Sequence, residues 1–174
     1  MANQKILITG GVRSGKSRHA LVLAQRRKGR KVFLATAQGI DEEMKARIKK
    51  HKQERSSDFV TIEEPLYLAK AFKKISPDVD LVLIDCMTLW MHNLMHSFAK
   101  DERKLKKEVE DFLKVLKVAK CNVIIVTNEV GCGIVPINAL ARAYVDKLGF
   151  LNQRLAEISD EVILMTCGLP QIIK

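Results

Sequence analysis

A chain of 174 residues is long enough for one α/β domain with a well-buried core and leaves little room for a second. Its 47% hydrophobic and 29% charged residues are ordinary for a globular protein, and its apolar runs are only strand-sized, which excludes a membrane-spanning helix. The net charge of +10 is compatible with nucleic-acid binding, but aromatic residues make up only 5% and no RNA- or DNA-binding motif is present. A basic nucleotide-handling enzyme explains the charge equally well. We therefore expect one soluble catalytic domain spanning residues 1–174.

The start of the chain indicates a cytoplasmic location. Met1–Gln4 leads directly into a predicted strand, without the charged and apolar regions of a signal peptide. The four cysteines, Cys86, Cys121, Cys132 and Cys167, are far apart and lack a C-x-x-C spacing. They are predicted to be small buried hydrophobic residues rather than parts of a zinc site or a disulfide framework.

The most informative stretch is a glycine-rich motif near the start of the chain. It follows the β-forming run Ile6–Ile8 and precedes an Ala- and Leu-rich helix predicted over Ser17–Gln25, and it fits the pattern G-x-x-x-x-G-K-[ST]. Its residues are Gly10, Gly11, Val12, Arg13, Ser14, Gly15, Lys16 and Ser17. In such a phosphate-binding loop the backbone N–H groups surround the anion, Lys16 reaches the terminal phosphates, and the Ser17 hydroxyl can ligate Mg²⁺. An ordinary glycine-rich turn is the alternative, and the strand before it and the helix after it disfavour that alternative.

Two further strands complete the predicted phosphate site. Lys31–Ala37 forms a parallel βαβ unit with the first strand and helix, so Ala35, Thr36 and Ala37 are expected beside the phosphate loop. Leu81–Cys86 is a fully apolar run that ends in a carboxylate, as expected of a buried parallel strand. Its Asp85 is expected to hold Mg²⁺, directly or through water; the alternative is an aspartate that only caps the next helix.

A charged helix is predicted over Asp41–Arg55. Acidic residues open it and basic residues follow, which complements the helix dipole and is typical of a solvated amphipathic helix. His51 lies among these cations, which would lower its pKa and favour the neutral, nucleophilic imidazole near phosphates. From these residues alone, a surface histidine is the simpler interpretation.

The remaining patterns complete an α/β fold with a mostly parallel sheet of five or more strands flanked by helices. Further strands are predicted at Phe59–Pro65, at Asn122–Thr127 and, as the last one, at Glu161–Thr166, and further helices at Leu66–Lys74, Asp101–Ala119 and from Pro136 to about Ile158. Residues 128–133, which follow the strand at Asn122–Thr127, form a polar, glycine-containing loop of the kind found in active sites.

Several segments together resemble one family, the bifunctional adenosylcobinamide kinase/adenosylcobinamide-phosphate guanylyltransferases of cobalamin biosynthesis. The likeness spans nearly the whole chain. It is carried by residues 10–20, by Ala35–Ala37, by Arg47-Ile48-x-x-His51, by Asp85-Cys86-x-Thr88-Leu89-Trp90, and by Asn128-Glu129-Val130-Gly131-x-Gly133-Ile134-Val135-Pro136. The phosphate loop alone is generic, whereas the last of these motifs joined to Arg-Ile-x-x-His is highly diagnostic.

The resemblance implies a RecA-like P-loop NTPase fold and two reactions. A nucleoside triphosphate, ATP or GTP, phosphorylates the aminopropanol hydroxyl of adenosylcobinamide; GTP then transfers GMP to that phosphate, releasing pyrophosphate and giving adenosylcobinamide-GDP. The second step would run through a guanylyl-histidine at His51. Some family members carry a second histidine immediately before this one, where the chain has Lys50. The resemblance also implies Mg²⁺ and a ring-like homotrimer.

Carried over to this sequence, the implied catalytic residues are His51 and Lys16, and the implied metal ligands are Ser17 and Asp85. The implied nucleotide-binding residues are Gly10 to Ser17, Ala35, Thr36, Ala37, Lys52, Gln53, Glu54, Arg55, Glu63 and Asp85.

Two other functions compete with this interpretation. One is a single-activity small-molecule kinase with the same phosphate loop, in which His51 would be incidental. The other is a nucleotide-dependent switch or nucleic-acid-binding module, which only the net charge favours. The Arg-Ile-x-x-His and Asn-Glu-Val-Gly elements speak against both.

Overall fold

A computed structural model describes residues 3–39, 42–53 and 58–174, without the side chains of residues 44, 47, 50, 51 and 53. Strands and helices alternate along most of it. The elements are β1 Lys5–Gly10, α1 Lys16–Gln25, β2 Arg30–Ala35, α2 Glu42–Gln53, β3 Phe59–Glu63, α3 Leu68–Lys73, β4 Val79–Asp85, α4 Met87–Ser97, α5 Glu102–Lys117, β5 Asn122–Val126, α6 Ala139–Ile158, β6 Glu161–Thr166 and β7 Leu169–Ile172.

The strands form one seven-stranded sheet in the order β3-β2-β4-β5-β1-β6-β7. Every neighbouring pair is parallel except β6 and β7, which are antiparallel. This arrangement confirms the predicted mostly parallel sheet. The phosphate-loop strand β1 lies between β5 and β6, and β5 separates it from β4, the strand that ends at Asp85.

Both faces of the sheet are covered, because successive side chains of a strand point to opposite sides. On one face Ile6 and Ile8 of β1 pack with α1. On the other face Leu7 of β1 belongs to a larger apolar cluster with α3, α4, α5 and α6, in which Trp90 and Phe112 are completely buried. The two helical layers hold the carboxyl ends of the parallel strands in a fixed arrangement along one edge of the sheet.

Strand β7 follows β6 in the chain, so the prediction that Glu161–Thr166 is the last strand is wrong. Cys167 and Gly168 both have positive φ, at 53° and 84°, and connect β6 to β7 as a two-residue hairpin turn. Pro170 lies in β7, and a proline is disfavoured in the interior of a sheet because it has no N–H to donate. A proline is compatible with this position because β7 is an edge strand.

Two helix starts also differ from expectation, for local reasons. The last long helix begins at Ala139 rather than Pro136, because the Asn138 side chain caps it by accepting a hydrogen bond from the Ala141 N–H. The helix predicted from Leu66 begins at Leu68. Before it, the Glu64 carboxylate accepts hydrogen bonds from the N–H groups of Leu66 and Tyr67.

The prediction that all four cysteines are buried is wrong for two of them. Cys132 and Cys167 are exposed, because one lies in a loop between glycines and the other in the β6–β7 turn. Cys86 and Cys121 are partly buried. In the described part of the chain, no helix combines the length and the apolar character needed to cross a bilayer.

Candidate functional site

A cavity of about 410 Å³ opens at the carboxyl ends of the parallel strands, where ligands of such sheets bind. The phosphate loop, the ends of β2, β3, β4 and β5, and helix α2 surround it. Its lining residues are Val12, Arg13, Ser14, Gly15, Lys16, Ser17, Arg18, Phe33, Ala35, Ala37, Ile48, Lys52, Glu63, Asp85, Cys86, Thr88, Leu89, Val126 and Asn128. Most of the predicted nucleotide-binding residues therefore meet in one cavity.

Two glycines give the loop its shape. Gly10 has a φ of 140°, and a Cβ built there would lie 2.3 Å from the backbone oxygen of Met165, so no side chain fits. Gly15 has a φ of 95° and forms the N-cap of α1. Residues 12–18 line the cavity, whereas Gly10 and Gly11 only lead into it. The N-terminus of α1 thus opens onto the cavity, which suits it to an anion.

Lys16 supplies a buried cation beneath this loop. Its Nζ donates hydrogen bonds to the Gly11 carbonyl oxygen at 2.5 Å and to Ser14 Oγ at 3.3 Å. Burial lowers the pKa of Lys16, and the charge of nearby Asp85 acts against that shift. The ammonium group therefore lies among the groups expected to bind phosphate.

Asp85 and Ser17 both line this cavity, and each carries a side-chain oxygen of the kind that ligates Mg²⁺. Asp85 ends β4, in register with Ala35 on one side and Val126 on the other. Burial, and then the charge of Asp85, raise the pKa of the neighbouring Cys86 to about 11. The Cys86 thiol is thus uncharged near neutral pH.

The last residue of β2 and the two that follow it, Ala35 to Ala37, differ in what their side chains contact. Ala35 and Ala37 line the cavity. The Thr36 side chain is completely buried and turned toward β4, where its hydroxyl donates to the Cys86 carbonyl oxygen and accepts from the Cys86 N–H, both at 2.8 Å. The Asn93 side chain also donates to the Thr36 carbonyl oxygen at 2.9 Å. The Thr36 hydroxyl therefore links the ends of β2 and β4 by two hydrogen bonds.

Helix α2 borders the cavity through Ile48 and Lys52. Lys52 forms an ion pair with Glu63 at the end of β3, with 2.6 Å between Nζ and Oε1. His51 lies in this helix, one residue before Lys52. The side chains of His51 and Gln53 lie outside the described part of the structure, as do the whole of Glu54 and Arg55. Their assigned roles remain predictions.

A second cavity of about 770 Å³ adjoins the first. The two share Ala37, Ile48, Lys52 and Glu63. Beyond these shared residues the second is lined by Gln38, Gly39, Lys45, Lys49 and Pro65. The strand-end site thus continues into a basic cavity with room for more than the phosphates of one nucleotide.

Sequence reasoning assigned no nucleotide-binding role to several lining residues, including Phe33, Thr88, Leu89 and Asn128. Thr88 and Leu89 belong to the motif after Asp85, and Asn128 belongs to the predicted polar loop. The sequence motifs therefore include these residues, although no nucleotide-binding role was predicted for them. Phe33 lies within β2 and carries no such signal.

The metal ligands available in this cavity suit Mg²⁺, which needs few protein ligands. Among the described residues no group of three or more histidine, cysteine, aspartate or glutamate side chains could hold a metal. The Ser17 hydroxyl and the Asp85 carboxylate supply two hard oxygen ligands at one cavity. Mg²⁺ typically takes one or two protein oxygens and completes its shell with water and substrate phosphates, so these residues fit it.

Comparison with known proteins shows similarity along nearly the whole chain. The family model CobU, described as cobinamide kinase / cobinamide phosphate guanyltransferase, matches residues 6–173. The chain is 40% identical over 168 residues to the bifunctional adenosylcobalamin biosynthesis protein CobP of Pseudomonas aeruginosa, covering 97% of this chain and 96% of that protein. It is 39% identical over 181 residues to the bifunctional adenosylcobalamin biosynthesis protein CobU of Salmonella typhimurium, covering 97% and 99%.

Solved structures with low sequence identity share the fold. The RadB recombinase superposes with a TM-score of 0.52 at 14% identity, covering 92% of this chain and 73% of its own. The type III secretion ATPase EscN superposes with a TM-score of 0.60 at 15% identity, covering 94% and 42%. These likenesses support the RecA-like P-loop fold.

Proposed function

Because the chain belongs to the cobinamide kinase / cobinamide phosphate guanyltransferase family, we propose that it catalyses both transfers of that family. A nucleoside triphosphate phosphorylates adenosylcobinamide, and GTP then supplies GMP to the resulting phosphate. The observation that carries the proposal is one cavity that joins the phosphate loop, Lys16 and Asp85 to helix α2, in which His51 lies.

In the kinase step the aminopropanol hydroxyl of the corrinoid attacks the γ-phosphorus, and the bond from that phosphorus to the β–γ bridging oxygen breaks. The nucleoside diphosphate leaves, and the hydroxyl proton passes to solvent. The loop N–H groups and the N-terminus of α1 hold the phosphates, and Lys16 offsets negative charge on them. Ser17 and Asp85 would hold Mg²⁺, which neutralises charge on the phosphate oxygens when bound. The phosphoryl donor can be ATP or GTP.

In the guanylyl step His51 attacks the α-phosphorus of GTP and pyrophosphate leaves. A phosphate oxygen of adenosylcobinamide phosphate then attacks the same phosphorus and releases the histidine. The described lysines of α2 that line the two cavities, Lys45, Lys49 and Lys52, support this assignment. Such cations can offset the negative charge on the triphosphate and on the leaving pyrophosphate.

The nucleotidyl-histidine can be tested without the corrinoid substrate. Wild-type protein is incubated with α-labelled GTP and Mg²⁺, denatured, and assayed for label that is acid-labile and base-stable. We expect label on the wild type and none on His51→Ala. Label that persists in His51→Ala would contradict the role of His51, and its absence from a wild type that binds GTP would favour a simple P-loop kinase.

The kinase step provides the matched control. His51→Ala should keep phosphorylating adenosylcobinamide, because it leaves the phosphate loop and Asp85 unchanged. Asp85→Asn should lose this activity by at least about a hundredfold, since a ligand of the metal and its charge are removed. Equal loss of both activities in His51→Ala would indicate a structural role for this residue.

We also propose that the chain forms one catalytic domain over residues 1–174 and assembles as a homotrimer. Strands from both ends of the described chain share one sheet, which supports the first point. For the second, all four residues of the edge strand β7 are exposed. Large apolar side chains are also exposed near and after the start of α6, namely Ile134, Val135, Ile137, Leu140 and Phe150.

Light scattering tests the assembly. We expect three times the chain mass of 19.6 kDa for the wild type and a smaller species for Ile137→Asp. A monomeric wild type at micromolar concentration would contradict the trimer.

We place the enzyme in the cytoplasm. Its use of nucleoside triphosphates and the exposed thiols of Cys132 and Cys167 fit this reducing compartment.

A further inference from the structure

The segment that follows β5 is held by a side chain of α6. Asn152 donates a hydrogen bond from Nδ2 to the Asn128 carbonyl oxygen at 2.9 Å, and its Oδ1 accepts one from the Thr127 hydroxyl at 2.8 Å. A carbonyl oxygen can only accept, so the Asn152 amide has one orientation that satisfies both contacts. One side chain therefore holds two consecutive residues.

The other backbone polar group of Asn128 is occupied as well. Its N–H donates to Thr88 Oγ1 at 3.0 Å, and the Thr88 carbonyl oxygen accepts from the Tyr144 hydroxyl at 3.0 Å. Tyr144 precedes Asn152 by about two turns of α6, so the two residues lie on the same face of that helix. The backbone of Asn128 is thereby held between α4 and α6.

The same segment is joined to the strand that leads into the phosphate loop. The Thr127 N–H donates to the Ile8 carbonyl oxygen and the Glu129 N–H to the Gly10 carbonyl oxygen, both at 3.0 Å. On its other side β5 pairs with β4, where Val126 lies opposite Asp85. Asn128 therefore lies between the start of the phosphate loop and the strand end that carries Asp85.

Asn128 lines the cavity, and its side-chain amide forms no hydrogen bond with any described residue. An amide at this place can donate to a phosphoryl oxygen or accept from the attacking hydroxyl. We propose that Asn152 is a positioning residue that holds Asn128 so that the Asn128 amide faces the phosphoryl group in transfer. This inference rests on the proposed kinase reaction and adds two residues to its machinery.

Asn152→Asp is the sharpest variant. It keeps an oxygen that accepts from the Thr127 hydroxyl, and it replaces the donor that faces the Asn128 carbonyl oxygen by a second oxygen. We expect kcat of the kinase reaction to fall about tenfold or more, because small displacements of a group at the reacting atoms are costly. KM for the nucleotide should change by no more than about twofold, since the phosphate loop is untouched.

Gln153→Ala is the matched control, because Gln153 is the next residue of α6 and also an amide, but is exposed. It should leave kcat unchanged. Asn152→Ala, which introduces no charge, gives a second measurement if the aspartate variant fails to fold. Thermal unfolding of each variant separates loss of the fold from loss of turnover.

A double-mutant cycle tests whether Asn152 acts through Asn128. Asn128→Ala alone should lower kcat, and adding Asn152→Asp to it should lower kcat little further. If the double variant lost kcat by the product of the two single-variant factors, the inference would be overturned. A folded Asn152→Asp variant with wild-type kcat would also overturn it. A wild type without kinase turnover would overturn the proposed function together with this inference, whereas an active wild type with an unaffected Asn152→Asp variant overturns the inference alone.

Discussion

Lys52 of α2 and Glu63 of β3 form an ion pair across one side of the cavity, with 2.6 Å between Nζ and Oε1. The two side chains remain 50% and 58% exposed, so solvent screens their attraction. The pair joins the helix that contains His51 to the outermost parallel strand of the sheet.

We expect Glu63→Gln to loosen α2 without unfolding the protein. The free energy of unfolding should fall by less than about 1 kcal/mol, as for most exposed ion pairs. Hydrogen exchange of the α2 amides, followed by mass spectrometry, should become faster, while exchange in β4 and β5 stays unchanged. The exchanged pair, Lys52→Glu with Glu63→Lys, should restore slow exchange in part. Unchanged exchange in α2 of Glu63→Gln would show that other contacts hold the helix.

Thr9 offers a substitution that stabilises the protein. Its hydroxyl is buried at the end of β1 and has no hydrogen-bond partner among the described residues, so it loses hydration without compensation. Thr9→Val has nearly the same shape and should raise the free energy of unfolding by up to about 1 kcal/mol. Chemical denaturation measures the change.

Thr127→Val is the matched comparison for Thr9→Val. Thr127 is completely buried directly after β5, the strand beside β1, but its hydroxyl donates to Asn152. Its loss leaves the Asn152 oxygen without this donor, and we expect destabilisation of about 1 kcal/mol. Equal effects of the two valine substitutions would contradict the difference in hydrogen bonding.

Lys174 caps the C-terminus of α6. Its Nζ donates to the carbonyl oxygens of Ala156, Glu157 and Ser159 at 2.9, 3.3 and 2.7 Å. The last carbonyls of a helix have no partner within the helix and carry partial negative charge. Lys174→Met, which keeps most of the apolar stem, should lower the free energy of unfolding by about 1 kcal/mol.

Lys120→Met controls for the loss of one positive charge, because Lys120 is exposed and forms no hydrogen bond with a described residue. It should leave stability within about 0.5 kcal/mol of the wild type. If the two methionine variants had the same free energy of unfolding, the contacts of Lys174 with α6 would not stabilise the protein.

The cysteines should differ strongly in reactivity toward iodoacetamide. The thiolate is the reactive form, and burial beside Asp85 raises the pKa of Cys86 to about 11, so only about one molecule in a thousand carries this thiolate at pH 8. Exposed Cys132 and Cys167 should be labelled first and Cys86 last. The Cys86 rate should rise about tenfold per pH unit up to about pH 11, provided that the protein remains folded. Peptide mass spectrometry gives the order, and labelling of Cys86 as fast as Cys132 at pH 8 would contradict it.

Sequence patterns alone predict the phosphate loop, the mostly parallel sheet and the strand that carries Asp85. These features follow from short-range patterns: glycines at a tight turn, apolar runs in buried strands, and a lysine and a serine at fixed spacing. The family resemblance added the diagnostic motifs around His51 and Asn128. Strand β7 was not predicted, because the sequence indicates it only by a two-residue turn followed by a short segment with a proline. This pattern is weak evidence for a strand unless the pairing with β6 is known.

The contacts of individual side chains near the site follow from tertiary packing. Thr36 and Ala37 are neighbours in the sequence, yet Thr36 binds the Cys86 backbone whereas Ala37 lines the cavity. Asn152 reaches Asn128, 24 residues earlier, because α6 packs over the sheet beside the end of β5. Side-chain partners depend on how helices and strands far apart in the sequence pack together, and short-range sequence patterns do not encode this packing.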